Sequence, residues 1–194
     1  NIPDSFTDIV RFAFYNCSSL TSVTIPDSVT KIGENAFSYC TSLTAFYGKF
    51  ASEDNRCLVV NGVLNSFAPA GITSYTIPDS VNSIGYRAFY HCSSLTSVTI
   101  GDSVTTIGEE AFYYCSSLKT VYCKPTTPPT GGYDMFDYNA AGRKILVPAS
   151  DDDSIINAYK AKEYWSDYAD CIFEEEPKPA NNAIWYTNGS TTAP

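Results

Sequence analysis

TIPDSVTKIGENAFSYCTSL, residues 24–43, returns as TIPDSVNSIGYRAFYHCSSL at 76–95 and as TIGDSVTTIGEEAFYYCSSL at 99–118. A catalytic centre gains nothing from being written three times. A structural unit does, because each copy covers an apolar face that its neighbour cannot bury alone. Cys17 to Cys40 and Cys92 to Cys115 each step 23 residues. Phe14, Phe37, Phe89, Phe112 and Phe136 follow that step closely, apart from a 52-residue interval between Phe37 and Phe89 that holds one 23-residue copy and one of 29.

Within LTSVTIPDSVTKIGENAFSYC, Leu20, Val23 and Ile25 point to one side of an extended segment while Ser22 and Thr24 alternate to the other, the pattern of a half-buried strand. Pro26, Asp27 and Ser28 form a turn, Val29 and Ile32 face inward again, and Gly33 permits a reversal of the backbone. ENAF then predicts one helical turn laying Ala36 and Phe37 on the strand, with Cys40 and Leu43 closing the circuit. Successive circuits set strands side by side and build a solenoid.

The pattern L-x-x-V-x-I-P-D-S-V-x-x-I-G-x-x-A-F-x-x-C resembles the BspA-like, or Treponema pallidum type, leucine-rich repeat. The resemblance covers residues 1–148 and implies an α/β repeat solenoid: a right-handed coil with one parallel β-sheet on its concave face and short helical turns on its convex face. The expected strands lie near Leu20–Ile25, Leu43–Tyr47, Ile72–Ile77, Leu95–Ile100, Leu118–Cys123 and Lys144–Val147. Phe14, Phe37, Phe89 and Phe112 are expected to form one stacked row.

Two segments depart from the repeat. The irregular 29-residue copy, about 43–71, contains LVVNGVL, in which Asn61 and Gly62 suit a type I′ turn between two β-branched runs; a small hairpin over Cys57–Phe67 is expected, projecting from the solenoid or packed along it. After CKPTTPPTGGYDMFDYN and a last strand in KILVPA, the segment 149–173 places Ile155, Ile156, Tyr159, Trp165, Tyr168 and Ile172 at roughly helical spacings behind Asp151–Asp153. This reads as a helical C-terminal cap with acidic N-capping, covering the open end of the stack. Residues 174–182 read as an acidic, proline-bearing linker and 183–194 as the start of a further, truncated module.

Composition narrows the function classes. Twenty-one acids against 12 Lys and Arg give a net charge of −9, which argues against a nucleic-acid partner, and no apolar run is long enough to span a bilayer. Four of the seven cysteines, Cys17, Cys40, Cys92 and Cys115, share one repeat position and read as reduced core thiols; the pairing of Cys57, Cys123 and Cys171 is left open. No CxxC pair occurs. The single histidine, His91, stands where other copies have Asn16, Tyr39 and Tyr114 and reads as a surface substitution, with no nucleophile elbow beside it. DDDS at 151–154 lacks the spacing of a calcium loop, and Gly33, Gly85 and Gly108 recur as turn glycines without a phosphate-cradling pattern. No catalytic residue, metal site or cofactor is expected.

The concave face remains. Strand alternation places there Ser22, Thr24, Tyr47, Ser74, Thr76, Ser97, Thr99, Thr120, Tyr122 and Lys144, together with Ala45 and Leu146. Thr and Ser are ordinary exposed strand residues, whereas tyrosine is favoured at recognition surfaces. The resemblance implies a non-catalytic, adhesion-type module of a bacterial cell-surface or secreted protein, located extracellularly. Its protein or glycan ligand would be a host matrix or plasma protein or another bacterial surface protein, with no direct membrane insertion of this segment. A structural spacer presenting a neighbouring domain is the alternative.

Overall fold

Ser22-Val23-Thr24-Ile25 alternates exposed and buried along its length, and the same alternation recurs wherever the repeat places a strand. The computed structural model describes residues 2–176, and within them the chain winds through the elements β1 (Asp8–Ile9), β2 (Ser22–Ile25), β3 (Lys31–Ile32), β4 (Ala45–Gly48), β5 (Cys57–Val60), β6 (Val63–Phe67), β7 (Ser74–Thr76), β8 (Ser83–Ile84), β9 (Ser97–Ile100), β10 (Thr106–Ile107), β11 (Thr120–Cys123), β12 (Lys144–Val147), α1 (Ser154–Ala161), a 3₁₀ segment at Ser166–Cys171 and β13 (Ile172–Glu174). Each regular coil contributes one long and one short strand. The short strands, absent from the sequence reading, come from the K-I, S-I and T-I pairs before the repeat glycine.

Threonine hydroxyls peg the coils together. Thr30, Thr44, Thr96 and Thr105 each donate from Oγ1 to the backbone carbonyl 23 residues earlier, at Thr7, Thr21, Thr73 and Asn82. The repeat glycines act by size rather than by turning: a Cβ on Gly85 would lie 2.8 Å from the Leu64 carbonyl oxygen, and one on Gly108 would lie 2.8 Å from backbone atoms of Gly85 and Tyr86. Glycine is there because consecutive coils touch backbone to backbone.

The long strands do not form the single sheet expected. β2 and β4 pair with each other, whereas β7, β9, β11, β12 and β13 form a separate five-stranded parallel sheet. The irregular copy separates them. The Phe46 N–H, which would reach toward a next strand, donates instead to Asn55 O at 2.8 Å, and Ala70 N–H donates to Leu43 O. The hairpin forms where expected, with Asn61 and Gly62 both at positive φ (51° and 79°). It is built into the coil, since β6 runs parallel to β8 and supplies a short strand.

Helical turns do not form on the far side of the coils. Residues 11–16, 34–39, 86–91, 109–114 and 133–138 make tight turns instead, each holding two left-handed residues, such as Arg87 and His91 or Glu110 and Tyr114. Left-handed φ interrupts any helix. It also frees alternate N–H groups to bond the next coil: Arg87, Phe89 and His91 donate to Glu109, Ala111 and Tyr113, and Glu110, Phe112 and Tyr114 donate to Tyr133, Met135 and Asp137.

The phenylalanine row is likewise in two parts. Phe14 stacks on Phe37 at 5.0 Å, and separately Phe67, Phe89, Phe112 and Phe136 follow one another at 4.6, 4.7 and 5.2 Å. Two buried clusters result, one running from Ile9 to Ala68 and the other from Cys57 to Ile172. All seven cysteines are free thiols; Cys40 donates to Phe14 O and Cys115 to Phe89 O.

The cap closes the last coil with aromatics. Trp165 and Tyr159 are fully buried and donate to Pro129 O and Pro125 O. The helix is shorter than the spacing implied, and Asp153 stands at its N-cap in a left-handed conformation without a side-chain cap. Asp152 and Ser150 accept from the first helical N–H groups instead. Ile172 and Phe173, read as helix, and Glu174, read as linker, form β13 on the edge of the five-stranded sheet. Glu175 is tied to Lys124 by a 2.7 Å ion pair. The linker beyond Glu176 and the module expected at 183–194 lie outside the described residues.

Candidate functional site: the solvent side of the long strands

Parallel register lines the outward residues into rows. Ser74, Ser97, Thr120 and Lys144 form one row across the five-stranded sheet, and Thr76, Thr99, Tyr122, Leu146 and Phe173 form the other. Ser97 donates to Ser74 across the first row at 2.8 Å. Ser22, Thr24 and Tyr47 stand on the β2–β4 pair, with Thr24 in register with Tyr47. The ten residues singled out by alternation therefore occupy two surfaces, and Tyr47 does not share a sheet with Tyr122. Ala45, also assigned to this face, is buried.

The five-stranded strip is graded. At β7 and β9 it is small and hydroxylic. Toward β13 it becomes large and mixed: the Lys124 ammonium lies 5.8 Å from the centre of the Tyr122 ring, and that of Lys144 lies 5.7 Å from the Phe173 ring, within range of cation–π attraction. Phe173 is 44% exposed, a large apolar side chain at the end of the strip that the sequence reading missed. Its only signal was the short alternation Ile172-Phe173-Glu174, hidden by the helical spacing of the residues before it.

Buried groups lie away from this face. Burial pushes the Cys57 thiol up to about 12, although the Tyr75 hydroxyl beside it at 3.1 Å pulls the other way. Among the described residues, no cluster of three or more His, Cys, Asp or Glu side chains is arranged to hold a metal ion, and no helix is long and apolar enough to cross a membrane.

The family model for the BspA type leucine rich repeat region matches residues 1–52 and 64–155 in six copies; the unmatched interval contains β5 of the hairpin. A leucine rich cell surface protein from Faecalibacterium prausnitzii is similar in structure, with 29% identity and a TM-score of 0.59 over 75% of this chain and 46% of that one. A leucine-rich repeat protein from Eubacterium ventriosum aligns at 23% identity and a TM-score of 0.54, over 77% of this chain and 48% of that one, and shows the fold alone. The chain thus spans about half the length of these two proteins. No curated protein matches it in sequence. With most of its length matched copy by copy, the chain belongs to the BspA-type leucine-rich repeat family.

Proposed function

We propose that the chain is a non-catalytic recognition module of a bacterial cell-surface protein, and that the solvent side of β9, β11, β12 and β13 binds a protein or glycan on a host or neighbouring cell. The observation that carries this reading is the grading of the strip. Across β9, β11, β12 and β13 the inward strand positions stay small-to-medium and apolar (Val98, Val121, Ile145 and Ile172), whereas outward ones change from Ser and Thr to Tyr122, Lys144, Leu146 and Phe173. Stacking asks nothing of those positions, and Tyr beside a cation is a favoured recognition pair. Support for a surface location comes from the similar Faecalibacterium protein, which is described as a cell surface protein.

The test is binding of the chain to arrayed host matrix proteins, plasma proteins and bacterial surface extracts. Tyr122→Ala combined with Lys144→Ala is expected to weaken capture by about tenfold, while Lys31→Ala, on the short-strand side, leaves it unchanged. Undiminished capture by the double variant removes this face as the site. Absence of any partner across the array favours a spacer that presents a neighbouring domain.

A further inference from the structure

The turn side of the coils carries an aromatic stripe. Tyr39, His91, Tyr114 and Tyr138 occupy one position in successive turns. Their ring centres are 4.3, 4.6 and 4.6 Å apart, and the last two pairs lie within 12° of parallel. Tyr90 and Tyr113 form a second column, 6.0 Å apart and parallel within 3°, joined to the first where Tyr113 meets Tyr138 at 5.0 Å. The rings are outside the core: Tyr138 is 59% exposed, as is neighbouring Tyr133 at 60%.

Carboxylates border the stripe, and its two halves differ in how these are met. On the turn of Tyr90, the Arg87 guanidinium lies 4.7 Å from the ring centre and bonds Glu110 through both carboxylate oxygens at 3.0 Å. One cation is thus held between a tyrosine face and an acid. The equivalent position on the next two turns is an acid, Glu110 and then Asp134, and Asp134 lies beside Tyr113 and Tyr133. Among the described residues, no Lys or Arg forms an ion pair with Glu109, Asp134 or Asp137. Desolvation, together with the carboxylates of Asp137 and Glu110, holds Asp134 above the usual carboxylate range, as expected where like charges crowd without a counterion.

We propose that the distal half of this stripe, around Tyr113, Tyr114, Tyr133, Tyr138 and Asp134, is a docking surface for a basic, extended polypeptide segment of a partner protein, whose Arg or Lys side chains take up the ring-and-carboxylate setting that Arg87 fills one turn earlier. Charge complementarity selects this occupant. A net charge of −9 repels anionic polymers and steers cationic ones, and the well-exposed rings of Tyr133 and Tyr138 are available to a guanidinium or ammonium. This surface is separate from the long-strand face proposed above, so each can fail alone.

The experiment is fluorescence anisotropy of the 194-residue chain with a fluorescein-labelled (Arg-Ser)6 peptide and, for comparison, a (Glu-Ser)6 peptide. The basic peptide is expected to bind and the acidic one not. Tyr114→Ala with Tyr138→Ala, and separately Glu109→Gln with Asp134→Asn, should each weaken the basic peptide by about fivefold or more. Glu53→Gln with Asp79→Asn, which removes two exposed acids elsewhere, should leave it unchanged. Circular dichroism confirms that each variant is folded. Equal binding of the two peptides, a tyrosine pair without effect, or equal weakening by the Glu53 and Asp79 control each overturns the proposal.

Discussion

Between the turns of Phe89, Phe112 and Phe136 every junction has three backbone hydrogen bonds and a stacked phenylalanine pair. Between the turns of Phe37 and Phe89 the one hydrogen bond is from the Ser38 hydroxyl to Arg87 O, at 3.3 Å. The irregular copy runs from β6 to β7 without an A-F-x-x-C turn, so turns 52 residues apart in sequence come together with mismatched partners. Buried Asn35 is left there with an unpartnered side-chain N–H, which carries a desolvation cost. The chain therefore holds two well-knit stacks joined by a weaker seam, and a repeat's regularity matters most at its boundaries.

The largest effect should come from within the regular stack. Phe112→Ala removes a fully buried ring held between two others and is expected to cost about 3–5 kcal/mol. Phe14→Ala, at a half-buried position beyond the seam, should cost under about 2 kcal/mol. Urea unfolding of the two variants measures both, and equal losses would abolish the distinction between the stacks. Next is Gly108→Ala, whose new methyl would meet backbone of the preceding coil and should cost about 1–3 kcal/mol. Gly101→Ala meets its nearest neighbour at 3.6 Å and should stay within about 0.5 kcal/mol.

Alkaline pH gives a smaller, graded effect. Burial pushes the Cys40 thiol up to about 11 on the N-terminal side of the seam; on the C-terminal side it pushes Cys57 up to about 12 and also raises Cys92 and Cys123. A folded thiol with a raised pKa keeps its proton after the unfolded chain has lost one. Its stabilisation is therefore complete below the unfolded value of roughly 9 and declines as pH rises toward the folded value, by at most about 1.4 kcal/mol per group per pH unit. Three raised thiols against one mean that the C-terminal stack loses more. Under reducing conditions, the urea midpoint followed by tryptophan fluorescence should fall between about pH 9 and pH 11; an unchanged midpoint would contradict the buried, ionisable thiols.

The coil was legible in the sequence because its rules are local: alternation in SVTI, the turn at PDS, and a fixed step between cysteines. The hairpin was legible for the same reason, through Asn61-Gly62. The break in the sheet was not, because it depends on what fills the edge of β4, and Asn55 does so from a segment with no strand pattern. The turns resembled helix because A-F-x-x-C has helical spacing, yet the left-handed residues four apart in each turn, such as Arg87 and His91, carry no strong sequence mark. Of the candidate face, alternation identified the outward residues, but sheet membership parted Tyr47 from Tyr122. Phe173 and the tyrosine stripe are visible only once distant copies are placed side by side.

The threonine pegs bear on how such a chain can change length over generations. Because each hydroxyl bonds a carbonyl 23 residues back, gain or loss of a whole unit by unequal recombination restores every peg, while a one-residue slip within a strand turns its side chains to the wrong face. The 29-residue copy shows the exception: among the described residues no threonine peg spans it, and the 23-residue step resumes only beyond it, where Thr96 bonds Thr73. Genes of this kind should therefore vary among strains in steps of complete repeats, with odd-length copies confined to places where a whole turn has been given up.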